Sequence, residues 1–157
     1  MKKQKVYLET TMFNFFFDTA RGDMHVATRE FFDKIKKGEF DAFTSAYVVD
    51  ELVNAQEPKR TDMLNLIKTY NIAIINKDDE FLRLADLYIK NGLVPKSYRF
   101  DAIHIAVAYV RELDYILSFN FHHINRIKTK EGVAHISKQE GYNKPVIICA
   151  PMEVIYE

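Results

Sequence analysis

Short runs of β-branched and aromatic residues alternate with longer amphipathic stretches along the chain, and that alternation restricts the fold more than any other feature. Lys5–Leu8, Phe40–Thr44, Ile72–Ile75, Tyr115–Phe119 and Val146–Cys149 read as strands. The Tyr115–Phe119 run is apolar almost throughout, as a strand is when both faces of a parallel sheet are covered. The segments between read as helices. Val26, Phe31, Phe32 and Ile35 recur at helical spacing in His25–Lys37, and Gly38 stops that helix. Ser45 stands as an N-cap before Ala46–Ala55, and Pro58 breaks the chain after it. Met63, Leu64, Ile67 and Tyr70 mark a third helix. Asp78 or Asp79 caps a fourth, whose apolar positions Phe81, Leu82, Leu84, Ala85 and Tyr88 lead to Asn91-Gly92. Beyond Pro95, Arg99–Glu112 is the most apolar helix, and Glu131–Glu140 is another, ended by Gly141. The expectation is one α/β domain over residues 1–157, with a mainly parallel central sheet flanked by helices and joined by right-handed crossovers.

Composition excludes several classes. With 157 residues, 48% hydrophobic and 28% charged, the chain has the make-up of a globular domain rather than a disordered one. Its 22 basic and 22 acidic residues cancel, which leaves nucleic acid neither favoured nor excluded, since a local basic rim suffices for phosphate. The lone Cys149 cannot close an internal disulfide and points to a reducing, cytoplasmic setting. Met1-Lys2-Lys3-Gln4-Lys5 is like the charged start of a signal peptide, but only Val6-Tyr7-Leu8 follows before Glu9, so export is not expected. No run approaches the ~20 apolar residues of a membrane span. Zinc is not expected either: there is one Cys, and the five His lack ligand spacing beyond the adjacent His122-His123.

In open parallel sheets, ligands bind beyond the carboxyl ends of the strands. Glu9 ends the first strand and Asn120 follows the fourth. Asp50-Glu51 and Asp101 lie near the starts of helices that follow strands or loops on the same side. Taken singly, each has an ordinary reading: Glu9 a solvated strand-end charge, Glu51 an exposed helix residue, Asp101 a helix cap or first-turn acid, Asn120 a turn residue. Their joint bias toward one sheet edge is the informative part. His104 reads as a satisfied core histidine, His122-His123 as surface, and Phe13, Phe15, Phe16 and Phe17 as core or dimer interface rather than a base-stacking platform.

In order and spacing these motifs resemble the PIN family, which includes the toxin ribonucleases of bacterial toxin–antitoxin pairs. The matching segments are Val6-Tyr7-Leu8-Glu9-Thr10-Thr11, Thr44 to Leu52 with Glu51, Asp101-Ala102-Ile103-His104-Ile105-Ala106, and Leu117-Ser118-Phe119-Asn120. Two positions depart from the family pattern: Glu9 stands where Asp is more frequent, and Asn120 where an acid is usual. The resemblance implies a metal-dependent endoribonuclease with Glu9, Glu51, Asp101 and Asn120 as catalytic residues. Glu9, Glu51 and Asp101 would hold Mg2+ or Mn2+, Glu51 through water or by orienting the nucleophile. Thr10 and Ser118 would support the carboxylates, and Lys96, Arg99, Arg126, Lys128 and Lys130 would meet RNA phosphates. A small antitoxin protein and a homodimer are the implied partners. The alternative is a PIN-like domain without catalysis that binds RNA or protein.

Overall fold

A computed structural model describes residues 2–120 and 126–155. Five strands form a single parallel sheet: β1 (Gln4–Leu8), β2 (Phe40–Ser45), β3 (Ala73–Ile75), β4 (Tyr115–Leu117) and β5 (Ile147–Cys149). Its order is β3-β2-β1-β4-β5. Among the described residues, eight α-helices accompany it: α1 (Thr10–Phe17), α2 (Asp23–Lys36), α3 (Ala46–Val53), α4 (Lys59–Thr69), α5 (Asp79–Lys90), α6 (Arg99–Val110), α7 (Ile127–Gln139) and α8 (Pro151–Ile155). Thr19–Arg21 and Lys96–Tyr98 are single 3-10 turns. The expected α/β class and helix-flanked sheet are as anticipated, and the sheet is parallel throughout.

Central strand β1 pairs with β2 on one side and β4 on the other, with Val6 opposite both Ala42 and Tyr115. The chain therefore runs outward from β1 to β3, then returns to the far side of β1 for β4. That reversal opens a crevice at the carboxyl ends of β1 and β4. Val6, Tyr7, Leu8, Ile116 and Leu117 are fully buried, consistent with helices covering both faces. The buried apolar residues form one continuous cluster.

Several local expectations change. α1 has no counterpart in the sequence reading; its buried Met12, Phe13, Phe15 and Phe16 place the phenylalanines in the core, as one of the two readings held. Phe16 meets Phe32 of α2 edge to face at 4.9 Å. Val26 is 50% exposed, and Ala27 and Thr28 face inward in its stead. α7 starts a turn earlier than Glu131. Asp78, rather than Asp79, caps α5 by accepting from the Glu80 amide at 2.9 Å. His122 and His123 lie outside the described residues. Among the described residues, no helix is long and apolar enough to cross a membrane.

Candidate active site

The crevice between β1 and β4 is built on backbone pairing that continues past the strands. The Glu9 amide donates to the Leu117 carbonyl at 3.3 Å, and the Thr44 hydroxyl donates to the Leu8 carbonyl at 3.0 Å. Glu9 thus leaves the sheet at a fixed angle and becomes the N-cap of α1. Its Oε1 accepts from the Thr11 amide (2.8 Å), the Thr11 hydroxyl (2.6 Å) and the Ser118 hydroxyl (3.3 Å). The same Thr11 hydroxyl accepts from the Phe119 amide at 3.0 Å, and Ser118 Oγ accepts from the Asn120 amide at 2.9 Å. Two hydroxyls therefore tie the segment after β4 to the acid after β1.

Thr11, not Thr10, performs the expected support. An N-cap side chain reaches the second or third helical amide, and Thr11 is the second residue of α1. The Thr10 hydroxyl is buried with no hydrogen-bond partner among the described residues.

Glu9 is only 4% exposed, and no Lys or Arg among the described residues is ion-paired with it. Burial pushes its carboxyl above the usual range, opposed by His104 and the Thr11 bonds and reinforced by the Glu51 charge. A carboxylate kept in so dry a place without a paired base is costly to ionise. Its second oxygen, Oε2, accepts no bond from a described residue.

α3 and α6 bring the other two acids. Ser45 caps α3 by accepting from the Val48 amide at 3.3 Å, as the sequence suggested, and Glu51 follows on that helix. Glu51 Oε1 accepts from His104 Nε2 at 2.9 Å; its side chain is 32% exposed. Asp101 is not the N-cap of α6, which is Tyr98, but it lies in the first turn, so the first-turn half of its ordinary reading holds. Asp101 Oδ2 also accepts from Asn120 Nδ2 at 3.0 Å. The structure brings Asp101 and Asn120 into contact, and it joins Glu9 to Asn120 through Ser118.

His104 is the residue that sequence reasoning placed in the core alone. It is 1% exposed and fully satisfied, yet its partner is an acid of the site. Burial depresses its pKa, but the bond to Glu51 and the charges of Glu51, Glu9 and Asp101 outweigh that and hold it above the ordinary value. Asp101 and His104 are three residues apart on α6 and share a face. That spacing was the only signal in the sequence.

These donors suit a hard cation in type: carboxylate oxygens and an amide carbonyl. Among the described residues, no three His, Cys, Asp or Glu side chains stand close enough to form a ready cage. The protein bonds of Glu9 and Glu51 each use one carboxylate oxygen and leave the other for a ligand. An ion held by these oxygens would have to keep several of its waters.

A concavity of ≈ 520 Å³ is lined in part by Tyr47, Asp50, Lys77, Arg99 and Phe100, and by none of Glu9, Glu51, Asp101 and Asn120. Arg99 pairs with Asp86 at 3.0 Å and Lys77 with Asp50 at 2.5 Å. Lys96, Arg99, Arg126 and Lys128 are exposed and Lys130 is half-buried. No protein-family model matches the chain, and no curated protein matches it.

Proposed function

We propose that this chain is a PIN-type, metal-dependent endoribonuclease. The observation that carries the reading is Glu9: a buried carboxylate without a paired Lys or Arg, at the switch point of a parallel sheet, with Glu51, Asp101 and Asn120 around the same crevice. Glu9 and Asp101 would hold Mg2+ or Mn2+ directly, Glu51 through water, and Asn120 would offer its carbonyl. When bound, the ion supplies an activated water and charge stabilisation for phosphodiester hydrolysis. Glu51 would orient that water. The exposed Lys96, Arg99, Arg126 and Lys128 would take RNA phosphates. A toxin role with a small antitoxin and a homodimer rest on the PIN resemblance, and a cytoplasmic location on the lone Cys149.

A PIN-like RNA- or protein-binding module without catalysis is the second reading, favoured by the amide at position 120 and the absence of a close-set acid trio among the described residues. One comparison separates the two. The parent should cleave RNA with Mn2+ and melt at a higher temperature in its presence, because a ligand that binds only the folded state stabilises it. Asp101→Asn should lose both responses and still fold. A parent inert to Mn2+ in both assays leaves the binding-module reading.

A further inference from the structure

A closed loop of hydrogen bonds lies behind the acids. It starts at the Val48 amide in α3, which donates to Ser45 Oγ at 3.3 Å. Ser45 Oγ meets the Tyr7 hydroxyl at 2.7 Å, and that hydroxyl meets His104 Nδ1 at 2.6 Å. His104 Nε2 then reaches Glu51 Oε1 at 2.9 Å, back on α3. Tyr7, Ser45 and His104 are 0%, 0% and 1% exposed, so no water competes for these bonds. Burial pushes the Tyr7 hydroxyl well above its usual pKa, and it stays a neutral donor.

The donor directions follow from chemistry. A carboxylate only accepts, so Nε2 carries a proton and donates to Glu51 in either charge state of the ring. In the neutral ring Nδ1 accepts, Tyr7 donates to it, Ser45 donates to Tyr7, and the Val48 amide donates to Ser45. Every group is satisfied, and the chain begins at a backbone amide and ends at a site acid.

We propose that His104 is a positioning residue: with Tyr7 and Ser45 behind it, it holds Glu51 Oε1 and so fixes the carboxylate, leaving Oε2 for the water of an ion that would bind there. This rests on the nuclease reading above. Glu51 is one-third exposed on a flexible three-torsion stem, and only the His104 bond ties its head to the fold among the described residues. Without that bond the carboxylate is free to turn to solvent. Partners that orient metal-site groups typically matter ten- to a hundredfold, roughly, in affinity or activity. α6 would then serve the site twice from one face, with Asp101 as ligand and His104 as positioner.

The test compares His104→Phe, which keeps the ring volume, with His104→Gln, whose amide can still donate near the Nε2 position. His104→Phe should lower Mn2+-dependent RNA cleavage and weaken Mn2+ binding roughly tenfold or more, and His104→Gln should recover part of both. In a Glu51→Ala background, His104→Phe should have no further effect. In the parent, nitrogen-15 NMR should show a slowly exchanging His104 Nε2 proton that loses protection in Glu51→Ala. Equal losses with and without Glu51, or parental cleavage in His104→Phe, would overturn the assignment while leaving the nuclease reading intact. Should His104→Phe not fold, Tyr7→Phe, lacking one hydroxyl, must show the same dependence on Glu51 or the proposal fails. A parent with neither cleavage nor Mn2+ binding sinks the nuclease reading and this inference with it.

Discussion

Asn120 donates from Nδ2 to Asp101 Oδ2 at 3.0 Å, so the amide at this position already neutralises part of the repulsion a fourth acid would create. Replacing the donor with a carboxylate sets two like charges at that distance. At an effective dielectric of 20 their repulsion is ~5 kcal/mol before the side chains swing apart. Asn120→Asp should therefore lower the melting temperature of the metal-free protein and enlarge the rise produced by Mn2+, both from the same added charge. Thermal melts and calorimetric titration read the pair of effects. Unchanged Mn2+ affinity would place Asn120 outside the metal's coordination.

Glu9 combines two roles that one substitution can separate. Its Oε1 caps α1, and its charge sits in a dry crevice. Glu9→Gln keeps an oxygen for Thr11 and Ser118 while removing the charge that burial opposes. The variant should be as stable as the parent or more so at neutral pH, and should lose its thermal response to Mn2+. A variant that melts lower and still responds to Mn2+ would mean that Glu9 is a helix cap and nothing more.

A side chain at Gly132 in α7 would require the Leu93 side chain to move aside. A Cβ there would stand 2.1 Å from Leu93 Cδ2 and 2.9 Å from Cδ1. The Leu93 backbone is itself held by Thr129, whose hydroxyl donates to its carbonyl at 2.8 Å. Alanine in a helix interior otherwise gains ~1 kcal/mol over glycine. Gly132→Ala should therefore be neutral or destabilising in the parent and stabilising by about that amount in Leu93→Ala. Denaturant melts of the four proteins check the change of sign.

The sheet was legible because its strands are short apolar runs bounded by polar residues; Glu9 and Asn120 followed from where those runs end, whereas Glu51 and Asp101, both on helices, were singled out by the family resemblance. α1 was not legible: Thr10, Thr11, Phe13, Asn14, Phe15, Phe16 and Phe17 are poor helix formers, and the segment is helical because its phenylalanines pack on Phe32 and Tyr70. Missing that helix also misassigned the carboxylate support to Thr10. The Tyr7–His104 bond spans 97 residues and the Tyr7–Ser45 bond 38, so no local pattern could announce them.

The pH dependence of the metal-free protein follows from Glu9 and His104. Burial raises the Glu9 carboxyl above its unfolded value of 4.5, so the folded state keeps that proton longer and stability falls as pH climbs past 4.5. For His104, burial works downward, but the Glu51 bond and the nearby acids win and raise its pKa above 6.5. Its contribution is complete below 6.5 and is lost as pH rises through the folded-state value. Both shifts have one sign on the alkaline side. On the acid side, Glu80 is held down to about 2 by Arg83 and Tyr142, so its contribution disappears as pH falls from 4.5 toward that value. Maximum stability is expected near 4.5, with a melting temperature that declines above it and declines further as pH passes 6.5. On the nuclease reading, saturating Mn2+ should flatten that decline, because a metal held there would favour the ionised acids. Glu9→Gln should remove the part of the decline that begins near 4.5 and shrink, without abolishing, the part above 6.5, because the Glu9 charge is one of those that raise His104. Melts at closely spaced pH values, with and without Mn2+, decide it: a metal-free melting temperature that is flat or rising over this range would mean that neither group carries the shift described.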